Sequence, residues 1–283
     1  MFAMMDAEIL KYYEHGLERD RLAAGGRQIE FLRMWDLLQR HLPPPPAQVL
    51  DVGGGAGVYA LPLAAAGYEV HLVDPVPLHV EQAITASQAA SARLASVTVG
   101  DARALEAAEA GVDAVLLLGP LYHLTDKSDR ITALREARRV VRPGGFVVAK
   151  ALSRFYPLFE SLAGGRPPNP GEIEDTVRFL ADGQYRNPGG DPAGFTTSYF
   201  HRPEELAGEI REAGLDLRVL VGASGNVKLL PDFAQRLEDA GQRDHLLSVL
   251  RLIEMESSVI GMSQNFVAVA QAPAGESQAP AGE

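Results

Sequence analysis

The sequence predicts an α/β chain built on a doubly wound, mostly parallel sheet, and three observations predict it. Val49-Leu50-Asp51-Val52 reads as an apolar strand that runs through an acid into Gly53-Gly54-Gly55-Ala56-Gly57 and then into an apolar helix. Two further strand-like runs also end at an acid, Tyr68 to Asp74 and Ala95 to Asp101, with a helical stretch between them. Val112-Asp113-Ala114-Val115-Leu116-Leu117-Leu118 is almost continuously apolar, as a strand buried on both faces of a parallel sheet must be.

Ahead of the first strand, residues 1–46 form an expected helical cap. Its two helices run from about Ala7 to Ala23 and from Arg27 to His41, split by Gly25-Gly26. The second carries Ile29, Leu32, Trp35 and Leu38 on one face, a stripe that docks on the sheet. The first carries Tyr12-Tyr13-Glu14-His15 and Glu18-Arg19-Asp20-Arg21-Leu22, whose charges equally suit a solvated ion-pair face. Pro43 to Pro46 are a stiff spacer before the core, which spans residues 47–270.

Glycines after the first strand let the backbone turn tightly and let a ligand approach the main chain, while the helix that follows offers unpaired amide N–H groups. Two nucleotide readings compete for this loop. A dinucleotide fingerprint fits Gly55-Ala56-Gly57-Val58-Tyr59-Ala60 only with alanine in place of the last glycine. The other uses Asp51 with Gly53, Gly55 and Gly57, an acid-x-Gly-x-Gly-x-Gly pattern. A carboxylate there suits a ligand carrying an ammonium and a sulfonium and repels a pyrophosphate.

Asp74 ends the second strand, where it can accept from both ribose hydroxyls; an NAD site also places an acid there, and an Asp at this point also caps helices. Pro75 follows, then a helix from about Leu78 to Ala90. The third strand, Ala95 to Val99, runs into Gly100-Asp101-Ala102. Asp51, Asp74 and Asp101 thus stand at three successive strand ends, where open α/β sheets bind ligands.

The fourth strand emerges at Gly119-Pro120-Leu121-Tyr122-His123-Leu124. The helix after it places Ile131, Leu134, Ala137 and Val141 at apolar positions, with Arg135, Arg138 and Arg139 toward the end where cations suit the dipole. Arg142-Pro143-Gly144-Gly145 then leads into a fifth strand, Phe146 to Ala149. From about Ser153 to Phe200 the periodicity breaks, and Gly- and Pro-rich runs bracket a short helix from Glu172 to Leu180. An irregular insertion of that length, placed after a strand end that faces the ligand, reads as an acceptor lid rather than a plain surface excursion.

Thr196 to Phe200 is a short strand leading back, and His201-Arg202-Pro203 opens another helix. Leu215 to Val221 is the sixth strand, a helical region follows from about Pro231 to Val259, and Asn265 to Ala270 closes the sheet. The tail, residues 271–283, repeats Gln-Ala-Pro-Ala-Gly-Glu and is expected to be disordered, since it holds nothing to bury.

Together, over about Tyr12 to Ala270, these motifs resemble the class I S-adenosylmethionine-dependent methyltransferases, in particular bacterial small-molecule enzymes. The resemblance implies a Rossmann-like sheet of seven strands with the last strand antiparallel. It implies S-adenosyl-L-methionine as cofactor and S-adenosyl-L-homocysteine as product. Asp51, Gly53, Gly55, Gly57, Asp74 and Pro75 would hold the donor, with Asp101 and Ala102 at the adenine, Leu118 and Gly119 beside it, and Tyr13 and Arg21 reaching it from the cap. His123, near the donor methyl by analogy, is the first candidate base, because His titrates near neutrality; a structural His bonded to backbone would look the same. Tyr122, Tyr199 and His201 are the further candidate catalytic residues on the acceptor side.

Composition narrows the classes. A chain of 283 residues, 46% hydrophobic, can bury a large core. It has no Cys, so no disulfide, thiolate metal site or Cys nucleophile, and no cluster has metal-ligand spacing. The net charge of −11 opposes binding to a nucleic-acid backbone, which points to a small-molecule or peptide acceptor. No apolar run has membrane-crossing length and Met1 to Asp6 lacks a signal-peptide pattern, so a cytoplasmic monomer or homodimer is expected. Three functional readings stand: methyl transfer, donor binding without methyl transfer, and an NAD-dependent oxidoreductase, the last opposed by Asp51 and the Gly100-Asp101 loop.

Overall fold

The computed structural model of the chain describes residues 7–13, 22, 25–187, 195–225, 227, 230 and 232–274. Arg21 and residues 275–283 of the expected tail lie outside the described residues. Two cap helices, α1 (Ala7–Tyr13) and α2 (Gln28–His41), precede β1 (Gln48–Val52), α3 (Ala60–Ala65), β2 (Glu69–Asp74), α4 (Pro77–Ala89), β3 (Ser96–Val99), β4 (Val112–Leu117), α5 (Lys127–Val140) and β5 (Val141–Leu152). The inserted segment holds α6 (Tyr156–Ala163), α7 (Ile173–Asp182), β6 (Gln184–Tyr185) and β7 (Ser198–Tyr199). The chain continues through α8 (Pro203–Glu212), β8 (Asp216–Gly222), α9 (Phe233–Glu238), α10 (Ala240–Ile253), α11 (Ser257–Ile260) and β9 (Asn265–Gln271).

Seven strands make one sheet in the order β3-β2-β1-β4-β5-β9-β8. β1 pairs in parallel with β2 and β4, β2 with β3, and β4 with β5. β9 slots antiparallel between β5 and β8. The expected seven-stranded sheet with an antiparallel last strand is therefore present.

Strand alternation sends side chains to two buried layers. Leu50, Val52, Val115, Leu117 and Val147 pack on Ala133, Leu134 and Ala137 of α5 and on Leu206 and Ile210 of α8. Val49, Val70, Leu72, Ala114 and Leu116 face Met34, Leu37 and Leu38 of α2 and Leu63 of α3. Covered on both sides, the sheet meets solvent only at its edges and strand ends.

Strand order reverses between β1 and β4, and the loops leaving these strands touch there. A Cβ on Gly53, where φ is +69°, would lie 2.8 Å from the Pro120 ring, and one on Gly119 would lie 3.0 Å from the Gly53 carbonyl oxygen. This is the switch point, where ligands of such sheets bind.

Some elements differ from expectation. β5 starts at Val141, so this residue pairs with Val112 in the sheet and Val140 takes the apolar position at the end of α5. The register between β4 and β5 shifts between Val112 and Ala114, where a Cβ on Gly145 would lie 2.7 Å from the Asp113 carbonyl oxygen. The helical region after β8 is three helices, with Asp239 capping α10 by accepting from the Gln242 N–H. Of the expected strand from Thr196 to Phe200, Ser198 and Tyr199 pair with Gln184 and Tyr185 in a separate ribbon outside the main sheet.

Candidate active site

A cavity of 370 Å³ opens at the carboxyl ends of the strands. Its wall is the glycine loop after β1, the ends of β2, β3 and β4, Lys150 of β5 and, from the cap, Tyr13 and Leu22.

The glycine loop folds back over the acid that precedes it. Gly53 donates its N–H to the Val73 carbonyl at 2.7 Å and Gly55 donates to Asp74 Oδ2 at 2.8 Å, tying the loop to β2. A Cβ on Gly54 would stand 2.8 Å from Asp51 Oδ2, so only glycine lets the main chain pass over this carboxylate. Gly55, at φ +58°, has nothing within 4 Å of an added Cβ and so presents bare backbone to the cavity. Gly57, at φ +90°, turns the chain toward α3 and is not on the cavity wall.

Asp51 is 1% exposed, and its Oδ2 has no hydrogen-bond partner among the described residues. Burial, reinforced by the charge of Asp74, pushes its pKa up to about 7. An unpaired buried carboxylate on a cavity is a site that a cation relieves.

The next two acids are engaged but not saturated. Asp74 Oδ1 accepts from the Val76 N–H at 2.9 Å and from His79 Nδ1 at 3.0 Å, while Oδ2 accepts only from Gly55. Asp101 Oδ1 accepts from the Arg103 backbone N–H and Nε, and its Oδ2 from an Arg103 terminal nitrogen at 2.6 Å. Burial would raise the Asp101 pKa, but the bonds from Arg103 outweigh it and hold the carboxyl below its ordinary value. Arg103 is anchored in turn by Asp129 at 2.6 Å. Each carboxylate thus keeps one lone pair of Oδ2 for a ligand. Pro75, Ala102, Leu118 and Gly119 also line the cavity.

The structure brings Tyr13, Tyr122 and His123 together on the wall of that cavity. Tyr13 Oη is 2.6 Å from His123 Nε2, and the Tyr122 and His123 rings lie 4.5 Å apart. Burial drives the His123 pKa down to about 3, so the ring is neutral near pH 7.

Tyr199 and His201 stand elsewhere, in a buried ionic cluster that does not line the cavity. Arg130 lies 3.7 Å above the Tyr199 ring, and the Tyr199 hydroxyl meets Arg154 and Glu205 at 3.1 Å. His201 Nε2 is 3.1 Å from Glu209 Oε2, and Arg130 reaches Glu209 Oε1 at 2.7 Å. Arg130 also donates to the carbonyls of Leu124 and Thr125, so this cluster supports the loop that follows β4.

Among the wall residues that sequence reasoning did not place in the site are His79, which reads as an ordinary helix position, and Lys150. Lys150 is 3% exposed, pairs with Glu30 at 2.7 Å and lies 5.7 Å from the Tyr122 ring centroid. Its signal was a charge ending the apolar run Phe146 to Ala149. Among the described residues, no group of three or more His, Cys, Asp or Glu is placed to hold a metal ion, and no helix is long and apolar enough to cross a membrane.

Residues 49–145 match the family model of a methyltransferase domain. The chain is 29% identical over 197 residues to a ubiquinone biosynthesis O-methyltransferase of Azorhizobium caulinodans, a match covering 66% of this chain and 69% of that protein. It spans 64% of the length of the corresponding enzyme of Cereibacter sphaeroides. A ubiquinone/menaquinone biosynthesis C-methyltransferase of Acidiphilium cryptum is 31% identical over 212 residues, 70% of this chain and 75% of the relative. Among solved structures, an S-adenosylmethionine-dependent methyltransferase of Methanosarcina mazei shares the fold with a TM-score of 0.58 at 17% identity, covering 84% of this chain and 97% of that one. Sheet order, the acid beneath its glycine loop and relatives matched over most of their length agree: the chain belongs to the class I S-adenosylmethionine-dependent methyltransferases.

Proposed function

We propose that the protein transfers the methyl group of S-adenosyl-L-methionine to an O, N or C atom of a small-molecule or peptide acceptor. The observation that carries this reading is Asp51, a buried carboxylate with an unpartnered oxygen under a loop of bare glycine backbone. That chemistry fits a donor with two positive charges and opposes a dinucleotide pyrophosphate. The relatives' names pair O- and C-methyl transfer with quinone biosynthesis, which supports a small-molecule acceptor. A net charge of −11 argues against nucleic acid, and the cysteine-free, acidic composition supports a cytoplasmic monomer or homodimer.

S-adenosylmethionine, when bound, supplies an electrophilic methyl group on a positively charged sulfur. Asp51 would face its ammonium and lose its own proton as that charge arrives. Asp74 would hold the ribose through the free lone pair of Oδ2, and Asp101 the adenine amine through its own. Pro75, Ala102, Leu118 and Gly119 would pack on the donor, with Gly53 and Gly55 offering backbone. Tyr122, His123 and Tyr13 wall the same cavity, with Tyr13 also against His79, and would exclude water. His123, held neutral, accepts a hydrogen bond from Tyr13 and so orients that hydroxyl; with its pKa at about 3 it is a weak proton store. Alignment in a dry pocket then supplies most of the acceleration.

Calorimetric titration with S-adenosylmethionine, S-adenosylhomocysteine and NAD tests the donor site. The sulfonium donor and its product should bind, and Asp74→Ala should weaken both by about tenfold or more. Binding of NAD alone overturns the reading. Methyl-labelled donor supplied with a series of phenols, enols and amines should label one class; donor binding with no label in any class assigns a binding protein instead.

A further inference from the structure

We propose that His79 is a donor-binding residue, its Nε2 accepting a hydrogen bond from one hydroxyl of the donor's ribose next to Asp74. The inference rests on the donor reading above and extends it to a residue no motif points to.

A ribose diol is best held by two acceptors. Asp74 offers one lone pair, because Oδ1 already takes the Val76 N–H and His79 Nδ1 and because Oδ2 already takes the Gly55 N–H. His79 lies in the first turn of α4, five residues after Asp74, and lines the same cavity. A carboxylate has no hydrogen to give, so the hydrogen in the Asp74–His79 contact belongs to Nδ1. That bond fixes the tautomer and leaves Nε2 as a bare acceptor. Nε2 is fully buried without a partner among the described residues, on a residue only 4% exposed. Buried polar atoms are almost always satisfied, and one left open on the wall of a binding cavity points to a ligand. The Tyr13 ring stands edge-on to the imidazole at 5.2 Å, so the cap shields this acceptor from water.

The test is a binding cycle on the full chain. S-adenosylhomocysteine and its 2′-deoxy and 3′-deoxy analogues are titrated calorimetrically against the wild type, His79→Phe and His79→Gln, with melting curves as a check on folding. His79→Phe should weaken S-adenosylhomocysteine by about five- to tenfold and leave one deoxy analogue almost unaffected. His79→Gln, whose side-chain carbonyl can accept, should keep the discrimination. Equal weakening of all three ligands, or no weakening, overturns the assignment and leaves His79 as packing. If His79→Phe does not fold, His79→Leu, which also lacks an acceptor, is read in its place: selective weakening of S-adenosylhomocysteine with one deoxy analogue almost unaffected supports the proposal, and equal weakening of all three ligands, or none, overturns it. Failure of the wild type to bind S-adenosylhomocysteine at all brings down the donor reading instead.

Discussion

Tyr13 and His123 are 110 residues apart in sequence and 2.6 Å apart in space. This bond joins the cap to the loop after β4, and it is seconded by Glu8, which accepts from the Thr197 hydroxyl at 2.5 Å on the inserted segment. Cap, switch-point loop and insertion therefore meet over one end of the cavity.

Tyr13→Phe removes the hydroxyl and leaves His123 Nε2 buried without a donor. The expected cost is about 1–2 kcal/mol, concentrated in the cap rather than the sheet. Hydrogen exchange should quicken across residues 7–13 and donor affinity should fall several-fold, with the sheet amides unchanged.

Asp51 makes the ligand-free protein pH-sensitive. Its folded pKa is raised above its unfolded value, so its contribution to stability is full below the unfolded pKa and is lost as pH rises through about 7. The span amounts to about 4 kcal/mol at most. Melting of the ligand-free protein should therefore decline between about pH 4 and 7 more steeply than that of Asp51→Asn. Saturating S-adenosylmethionine should remove most of the difference in the wild type, and Asp51→Asn should bind the donor poorly.

Two glycines in the same loop should fail differently. Gly53→Ala puts a methyl at positive φ against the Pro120 ring and is expected to cost about 2–4 kcal/mol, read in the melting temperature. Gly55→Ala has open space around it, so its cost is backbone strain of about 1–2 kcal/mol. Its larger effect should be on donor affinity, because the added methyl stands where a ligand meets the main chain.

The Arg130–Glu209–His201 cluster should behave as a unit. Burial would raise the Glu209 pKa, but bonds from His201 and Arg130 hold it below its ordinary value. Its contribution is present above the unfolded pKa and is lost as pH falls through the lowered folded one. Glu209→Leu strands Arg130 in the interior and should cost about 3–5 kcal/mol in urea unfolding at pH 7, with a smaller difference in acid. Because Arg130 also holds the Leu124 and Thr125 carbonyls, methyl transfer should fall as well.

Strands with continuous or alternating apolar residues were legible because burial on two faces leaves that imprint. β1, β2 and β4 appear where Val49, Val70 and Val115 indicated. The acids at the strand ends and the glycine loop were legible for the same reason, each being tied to a strand that periodicity locates. The inserted segment was legible only in part: the helix expected from Glu172 to Leu180 is α7 and the strand expected from Thr196 to Phe200 holds β7, whereas α6 and β6 had no local signal. α6 is a single short helix interrupted by nothing periodic, and β6 pairs across sequence with β7, a contact no local pattern encodes. Tyr199 and His201 looked like acceptor-side residues because they end a short strand after the lid; the ions that enclose them come from α5 and α8 and from Arg154 beyond β5. His79 escaped because a lone His on a helix reads the same whether it packs or binds; its buried, unpartnered Nε2 beside Asp74 shows only in the structure.

The placement of β9 bears on how the chain assembles. The last strand of the fold lies between β5 and β8, so β8 has no neighbour in the sheet until residues 265–271 arrive. A nascent chain released by the ribosome as far as α11 would carry two unpaired strand edges in its middle, a hazard for aggregation that closes only when the final strand threads in. Pairing of β9 is thus the step that seals the sheet, and a stop before Asn265 would leave a protein with its donor loops complete and its sheet split in two.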